Sequence, residues 1–422
     1  MKNITKVFKK FSRFFVLVLI FGFITIGSIG GCNNNNSGSN NTGGSDNGDG
    51  LSAVLMNIFD GGQFGVDYSW TSISRCRNNR DITMDGCDVN AAFITNPSAP
   101  MPACTGSPNP FCTLDECVAC YEVDMEQMKS VDATLLRLYS PNYSVTDAAS
   151  KQGVKVVVGT ENGTITKLAD DATFAATFLK GQYDPYITPL EPHIMDGTIV
   201  GIILGNEVNG SFGCTPCSPA LLGMAATNLR AVLNTISGGS NVKIATTLVG
   251  IPTSPATPTA EEYCNTANLD AVGFDLYCPL KGESPPGTTI VCTGKNIPTG
   301  CNTPPECVDV SITEWYENNT PTACLGKSFM AETGYTTGDT STPGSNDKSL
   351  YPDLTTMLNT YKTWACTNQI QSFYFEWFDE DETNISAPNK FFGIYEWTTT
   401  AATQNYPTSK YQDMVSNLFN CP

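Results

Sequence analysis

Two glutamates stand where a chain rarely spends a carboxylate. Glu207 closes the run TIVGIILGNE (198–207), and Glu332 interrupts the run KSFMAETG (327–334). A core strand has no use for either, because burying an unpaired carboxylate is costly. The loops that follow barrel strands do have a use for one. Two such ends, distant in sequence, can face each other across the mouth of a barrel. Paired carboxyl groups without a metal or a histidine suit glycosidic bond cleavage: one protonates the leaving oxygen, the other acts as nucleophile or base. Their separation sets the outcome, about 5–5.5 Å for retention and about 6.5–9.5 Å for inversion. His193 is the one histidine of the chain, which leaves little room for histidine-based metal sites, a Ser-His-Asp triad or a Cys-His pair. It lies in PLEPHIMDG, expected to be a loop of no functional weight. Glu314, in SITEW, is a rival carboxylate, but it precedes the last strands and is expected on a helix or in an insertion.

The elements that must position the two glutamates recur along the chain. Eight segments rich in Val, Ile, Leu and Phe read as strands: 63–69, 134–140, 154–161, 198–207, 242–250, 269–277, 327–334 and 370–378. Most are apolar nearly throughout, as parallel strands buried on both faces are. Connectors between them have helical periodicity. In 218–237, Ser218 is an N-cap, Pro219 takes the first helical position, and Leu222, Ala225, Leu229, Val232 and Ile236 form one apolar stripe. Segments 353–368 and 409–420 behave similarly. Eight strands alternating with helices predict an α/β fold, a (β/α)8 TIM barrel. The alternative, an open doubly wound sheet, normally carries a Gly-rich phosphate turn, and no G-x-G-x-x-G or P-loop pattern occurs.

The chain has 422 residues and a net charge of −18. Residues 1–31 read as an export signal: Lys2, Lys6, Lys9, Lys10 and Arg13 precede an apolar run. The signal ends at SIGGC (28–32), which resembles a bacterial lipobox. Cys32 is therefore the expected site of lipidation, and residues 32–50, rich in Asn, Gly and Ser, are the expected tether. The third region, 51–422, is long enough for one large barrel with insertions. It holds 18 Lys and Arg against 41 Asp and Glu, a charge of about −23. So acidic a surface disfavours nucleic acid and anionic membrane as partners and suits a neutral polymer. Of 17 cysteines, 16 remain beyond Cys32, an even number that reads as disulfides in an exported protein. Six fall between Cys76 and Cys120 and six between Cys264 and Cys324. Stretches 76–120 and 278–324 are accordingly expected as Cys-rich insertions after the first and sixth strands. The C-x-x-C pairs at 117–120 and 214–217 admit a zinc or redox reading, which the exported context disfavours. No cofactor and no metal are expected.

Motifs along the whole domain resemble glycoside hydrolase family 17, the β-1,3-glucanases and related glucanosyltransferases. FGVDYS (64–69) is similar to the first-strand Gly-Val-x-Tyr of that family, and LLRLYSPN to its second-strand Arg-x-Tyr. GIILGNEV resembles its Gly-Asn-Glu acid/base motif, VGFDLYCP its sixth strand, FMAETGYTTGD its nucleophile motif, and FYFEWFDEDE with FFGIY its last strand and the segment after it. The resemblance implies a retaining double displacement on β-1,3-glucan. In it Glu207 is the acid/base with a raised pKa, Glu332 is an ionised nucleophile, and Asn206 binds near the sugar 2-hydroxyl and the nucleophile. Tyr68, Tyr139, Tyr277, Tyr335 and Trp377 are candidates for sugar stacking or hydroxyl binding. Any one of them could equally be packing, because aromatic side chains serve cores too. Glu376 and Glu380 are candidate polar contacts from the eighth strand, and Asp379, Asp381 and Glu382 are expected to form a solvated acidic run. The chain departs from the family pattern at Tyr335 and Thr336, which replace Trp-Pro, and at Thr383, near the place of a usual lysine. A glucanosyltransferase on the same site, or a catalytically silent glucan-binding surface lipoprotein, are the competing expectations. The expected protein is a monomer, exported and lipid-anchored at the cell envelope, with placement at the outer membrane or cell surface.

Overall fold

In the computed structural model, the described residues are 57–68, 114–181, 189–210, 217–254, 258–277, 308–338, 347–379, 391–396 and 408–421. Eight parallel strands close a barrel in sequence order: β1 (Phe64–Asp67), β2 (Leu135–Leu138), β3 (Lys155–Gly159), β4 (Ile199–Ile203), β5 (Lys243–Val249), β6 (Ala271–Asp275), β7 (Ser328–Thr333) and β8 (Ser372–Tyr374). Closure is made by β8 against β1, with Phe64 opposite Ser372 and Val66 opposite Tyr374. Each strand falls inside one of the eight apolar segments. The fold is the (β/α)8 barrel that the alternation of elements predicts.

Alternation along the strands divides the core into two clusters. Leu135, Val157, Val200, Ile203, Ala245, Ala271, Phe329, Ala331 and Phe373 form an inner cluster with Phe59. Their neighbours, such as Leu136, Val156, Val158, Ile202, Ile244, Val272, Phe274, Met330 and Tyr374, belong to the outer cluster under the helices. Phe59, just before β1, plugs the inner cluster. Its ring meets Phe329 edge-on with centroids 5.2 Å apart, and Phe373 at 6.1 Å. Gln371 holds the plug by its backbone, donating to Phe59 O (2.9 Å) and Gly62 O (2.6 Å) and accepting from Phe59 N (2.8 Å). Gly201 makes room for it: a Cβ there would lie 2.4 Å from the Phe59 ring.

The helix Pro219–Leu233 begins as expected, with the Ser218 side chain accepting from Leu221 N and Pro219 in the first turn. Two expectations change. Stretches 76–120 and 278–324 are not insertions throughout, because the helix Leu114–Ser130, the first among the described residues, already starts within one and Val308–Thr313 and Glu314–Asn319 occupy the end of the other. Val118, Tyr121, Met125 and Met128 bury one face of the first of these, at spacings of three and four. Residues 409–420 are helical only at Ser416–Phe419. Their first residues instead pair with 391–396: Lys410 N donates to Ile394 O (2.8 Å) and Glu396 N to Thr408 O (3.0 Å), with Ser409 bridged to Tyr395.

The disulfide reading holds where it is described. Cys264 joins Cys324, tying the helix after β5 to the turn before β7. Cys366 joins Cys421, tying helix Tyr351–Asn368 to the chain end. Cys217, from the second C-x-x-C pair, is also disulfide-bonded. The Cys366–Cys421 bridge spans a sequence separation of 55. Closing a loop of that size is worth about 4 kcal/mol in the chain-entropy account. Replacing both cysteines by alanine is therefore expected to lower the unfolding free energy by about 2–4 kcal/mol in urea titrations.

Candidate active site

The C-terminal ends of the strands converge on one guanidinium. Arg137, on β2, is 1% exposed. Its Nη1 donates to Glu332 Oε1 (3.1 Å), Asp67 Oδ1 (3.2 Å) and the Ala331 carbonyl (2.7 Å), and its Nη2 donates to Asn206 Oδ1 (2.7 Å). One side chain thus gathers the ends of β1, β2, β4 and β7. Burial alone would pull Arg137 down, but the acidic groups around it, Glu332 among them, outweigh it and hold the group above its ordinary value.

Glu332 is presented by an irregularity in β7. Phe274 pairs with Met330 and Asp275 with Glu332, so the register slips by one residue at Ala331. Strict alternation after Phe329 and Ala331 would turn Glu332 away from the interior; the slip brings it to the mouth. There it is 6% exposed. The Tyr139 hydroxyl donates to its Oε1 (2.8 Å) and the Tyr277 hydroxyl to its Oε2 (2.5 Å). With Arg137, three donors engage a group that when ionised can only accept. Both phenols are held well above the usual tyrosine value, first by burial and then by neighbouring carboxyl groups including Glu332. They remain donors.

Glu207 is presented by a strained turn. It has φ 49°, uncommon for a residue with a side chain, after Gly205 at φ 72°. Gly205 admits nothing larger, since a Cβ would lie 2.2 Å from Asn162 Oδ1. Hydrogen bonds hold the turn: Gly205 N to Thr160 Oγ1 (3.0 Å), Asn206 N to Asn162 Oδ1 (2.8 Å), Asn162 Nδ2 to Asn206 O (2.9 Å) and Glu207 N to Thr247 Oγ1 (3.1 Å). Thr247 also donates to Asn206 Oδ1 (2.9 Å), so two donors fix which way the Asn206 amide faces. Glu207 is 9% exposed. Burial, and then the Glu332 charge, push its carboxyl up to about 8, against the opposing pull of Arg137.

The remaining candidates divide. Tyr139, Tyr277 and Asn206 join the two glutamates. Tyr68 does not: it is fully buried and its hydroxyl donates to Asp124 Oδ2 (2.7 Å) on the helix after β1. Trp377 is fully buried in the outer cluster, its ring 4.8 Å from Tyr395. Tyr335 is buried there too. All three serve packing, because strand-end aromatics can turn under the helices as readily as into the mouth. Glu376 is buried, and its charge acts on Lys410. Asp379 is no member of a solvated run: it is fully buried in an ion pair with Lys410, which also donates to Thr337 Oγ1 and Phe391 O (3.0 Å each). A buried lysine from late in the chain thus lies against the segment that follows β8. Glu314 is exposed in the first turn of helix Glu314–Asn319. His193 sits in a short helix, Glu191–Met195, rather than a loop, and meets Asp196 and Tyr143. Glu380, Asp381, Glu382, Thr383, Cys32 and residues 1–50 lie outside the described residues.

Five groups at the mouth were not singled out from sequence alone: Arg137, which entered only inside a motif, and four others. Phe375 and Phe392 are half-buried and pack around Tyr277 at 6.0 and 5.4 Å. Asp67 and Asp275 are buried at the ends of β1 and β6. The signal for the aspartates was present: each lies in an otherwise apolar run, Asp67 as its one acid and Asp275 beside Asp270. Among the described residues, no group of three His, Cys, Asp or Glu could hold a metal ion.

Fold and site together define a TIM barrel whose mouth holds carboxyl groups, phenols and one guanidinium. No family model matches the chain. It is 24% identical over 297 residues to a glucan endo-1,3-beta-D-glucosidase of Olea europaea, a match covering 64% of this chain and 63% of that protein. The chain thus spans somewhat under two thirds of that relative's length. CJP38, a β-1,3-glucanase and allergen of Cryptomeria japonica pollen, shares the barrel fold. It superposes with a TM-score of 0.50 at 15% identity, over 79% of this chain and 95% of its own.

Proposed function

We propose that the protein is a retaining glycoside hydrolase that cleaves β-1,3-glucan. One observation carries the reading: two carboxyl groups at one barrel mouth sit in opposite settings. Glu207 is buried and pushed up to about 8, so it holds a proton at neutral pH. Glu332 is met by Arg137 and two phenols. Environments that set two carboxyl groups apart assign the acid and the nucleophile. In the first step Glu332 attacks the anomeric carbon while the bond to the leaving oxygen breaks and Glu207 gives that oxygen its proton. In the second, Glu207 takes a proton from water as the water displaces Glu332. Arg137, Tyr139 and Tyr277 hold the Glu332 carboxylate in position, and Asn206, its amide fixed by Arg137 and Thr247, is assigned the sugar 2-hydroxyl on the resemblance of its motif. Likeness to the olive glucosidase supports the glucan, and the resemblance of the motifs supports the retaining outcome.

The test is incubation of the oxidised chain with linear β-1,3-gluco-oligosaccharides. Shorter products, first released as the β-anomer in NMR spectra, are expected. Products longer than the substrate would instead identify the glucanosyltransferase, and first-formed α-anomer would exclude retention. We further infer export through residues 1–31 and anchoring through Cys32, with 51–422 as the enzyme domain. Cys32→Ser is expected to move the protein from the membrane fraction to the soluble one.

A further inference from the structure

The mouth carries more acid than its cation can neutralise. Asp67, Asp275, Glu207 and Glu332 surround Arg137, the cation that acts on all four. The guanidinium commits its described bonds to Glu332, Asp67, Asn206 and the Ala331 carbonyl. Asp275 is 4% exposed, in register with Glu332, and neither of its carboxyl oxygens meets a donor among the described residues. Asp67 is fully buried and accepts from Arg137 through Oδ1 alone; its Oδ2 likewise meets no donor among the described residues. An ionised carboxylate so placed would forgo hydration without replacement, a cost that buried groups avoid by keeping a proton.

We propose that Asp67 and Asp275 are positioning residues held as neutral acids at working pH, so that the single charge of Arg137 is left to the Glu332 carboxylate. This rests on the reading of Glu332 as the nucleophile. Asp67 accepts from Arg137 through Oδ1, so its proton sits on Oδ2. The titratable groups facing Asp275 are Glu332, Arg137, Glu207, Asp67 and Tyr277; those facing Asp67 are Arg137, Glu332, Asp275, Tyr139 and Tyr277. Burial first, and the neighbouring carboxylates with it, raise both aspartates well above 3.8, with Arg137 opposing. The consequence is a device for charge allocation. Were either aspartate ionised, it would share the guanidinium with Glu332 and add a repelling anion beside it.

Infrared difference spectra of the full chain at neutral pH, wild type minus Asp275→Asn, decide the matter without any substrate. The expected result is loss of a carboxylic-acid carbonyl band in the variant; loss of carboxylate bands instead overturns the proposal. Asp67→Asn gives the same reading at the second position should Asp275→Asn fail to fold. Denaturant unfolding supplies a second measure. Between 3.8 and its raised native value, folded Asp275 holds a proton that the unfolded chain has lost, so stability falls as pH rises. In that window the wild-type unfolding constant is expected to climb about tenfold per pH unit faster than that of Asp275→Asn. Equal slopes overturn the proposal. Because neither measurement uses a glucan, absence of turnover would count against the proposed function and leave this decision intact.

Discussion

Glu332→Gln is expected to lower kcat on β-1,3-gluco-oligosaccharides by roughly 10⁴–10⁶-fold, the scale of losing a covalent nucleophile. The substitution keeps the shape of the side chain, and its amide oxygen can still accept from Arg137 and Tyr139; on the other side the amide NH2 replaces the oxygen that accepts from Tyr277, whose hydroxyl must turn to accept instead. What it removes is the anion that attacks the anomeric carbon. Far-ultraviolet circular dichroism should match wild type while product formation disappears; the melting curve should shift down, because the buried Arg137 loses its anion. A variant that degraded the oligosaccharides within tenfold of wild type would sink the assignment, and with it the mechanism. Loss of Arg137's anionic partner makes one secondary effect visible. The guanidinium keeps Asp67, at 3.2 Å, as its nearest carboxyl, and substrate binding should change far less than kcat.

Glu207→Gln is expected to cost about 10²–10⁴-fold in kcat/KM on natural substrates, the usual contribution of a general acid. The loss should depend on the leaving group. An aryl β-glucoside with an acidic phenol needs little proton donation, so its first step should stay close to wild type and the glycosyl-enzyme should accumulate for want of a base. With Glu207→Ala, added azide should replace water and yield a β-glycosyl azide. The pH profile gives an independent check. Burial and the Glu332 charge raise the Glu207 carboxyl to about 8, so wild-type kcat/KM should fall as pH rises through about 8, where the acid loses its proton. The Gln variant should lack that limb. Linkage fixes the sign of the stability change as well. The raised carboxyl keeps its proton in the folded chain between 4.5 and about 8, so wild-type stability falls with rising pH across that window and the Gln variant's falls less. An unchanged alkaline limb in Glu207→Gln would assign the acid elsewhere, with Asp275 the first group to examine.

The barrel was legible because its signal is repeated. Eight apolar segments, each bounded by polar connectors, leave few ways to bury every strand on both faces. Local chemistry was legible for the same reason: Ser218 and Pro219 start their helix through hydrogen bonds and a φ angle that neighbours in sequence supply. Aromatic side chains were the hard part. Tyr68 and Tyr139 occupy matching motif positions after adjacent strands, yet one hydrogen-bonds Asp124 beneath a helix and the other Glu332 in the mouth. Lys410 was illegible from its surroundings, because the anion that justifies burying it, Asp379, lies 31 residues earlier.

Sequence by itself determined the strand-and-helix alternation, the positions of Glu207 and Glu332 at strand ends, the Asn206 beside one of them, and the cysteine pairing as a principle. These are encoded in residue type and short-range spacing. Only the tertiary structure decided which side chains meet at the mouth. A one-residue slip opposite Asp275 turns Glu332 inward, and a left-handed turn sets Glu207. Arg137 then draws four strand ends to one charge. Facing across a barrel is a matter of register and closure between strands far apart in the chain, and a buried charge is tolerable only where such partners arrive.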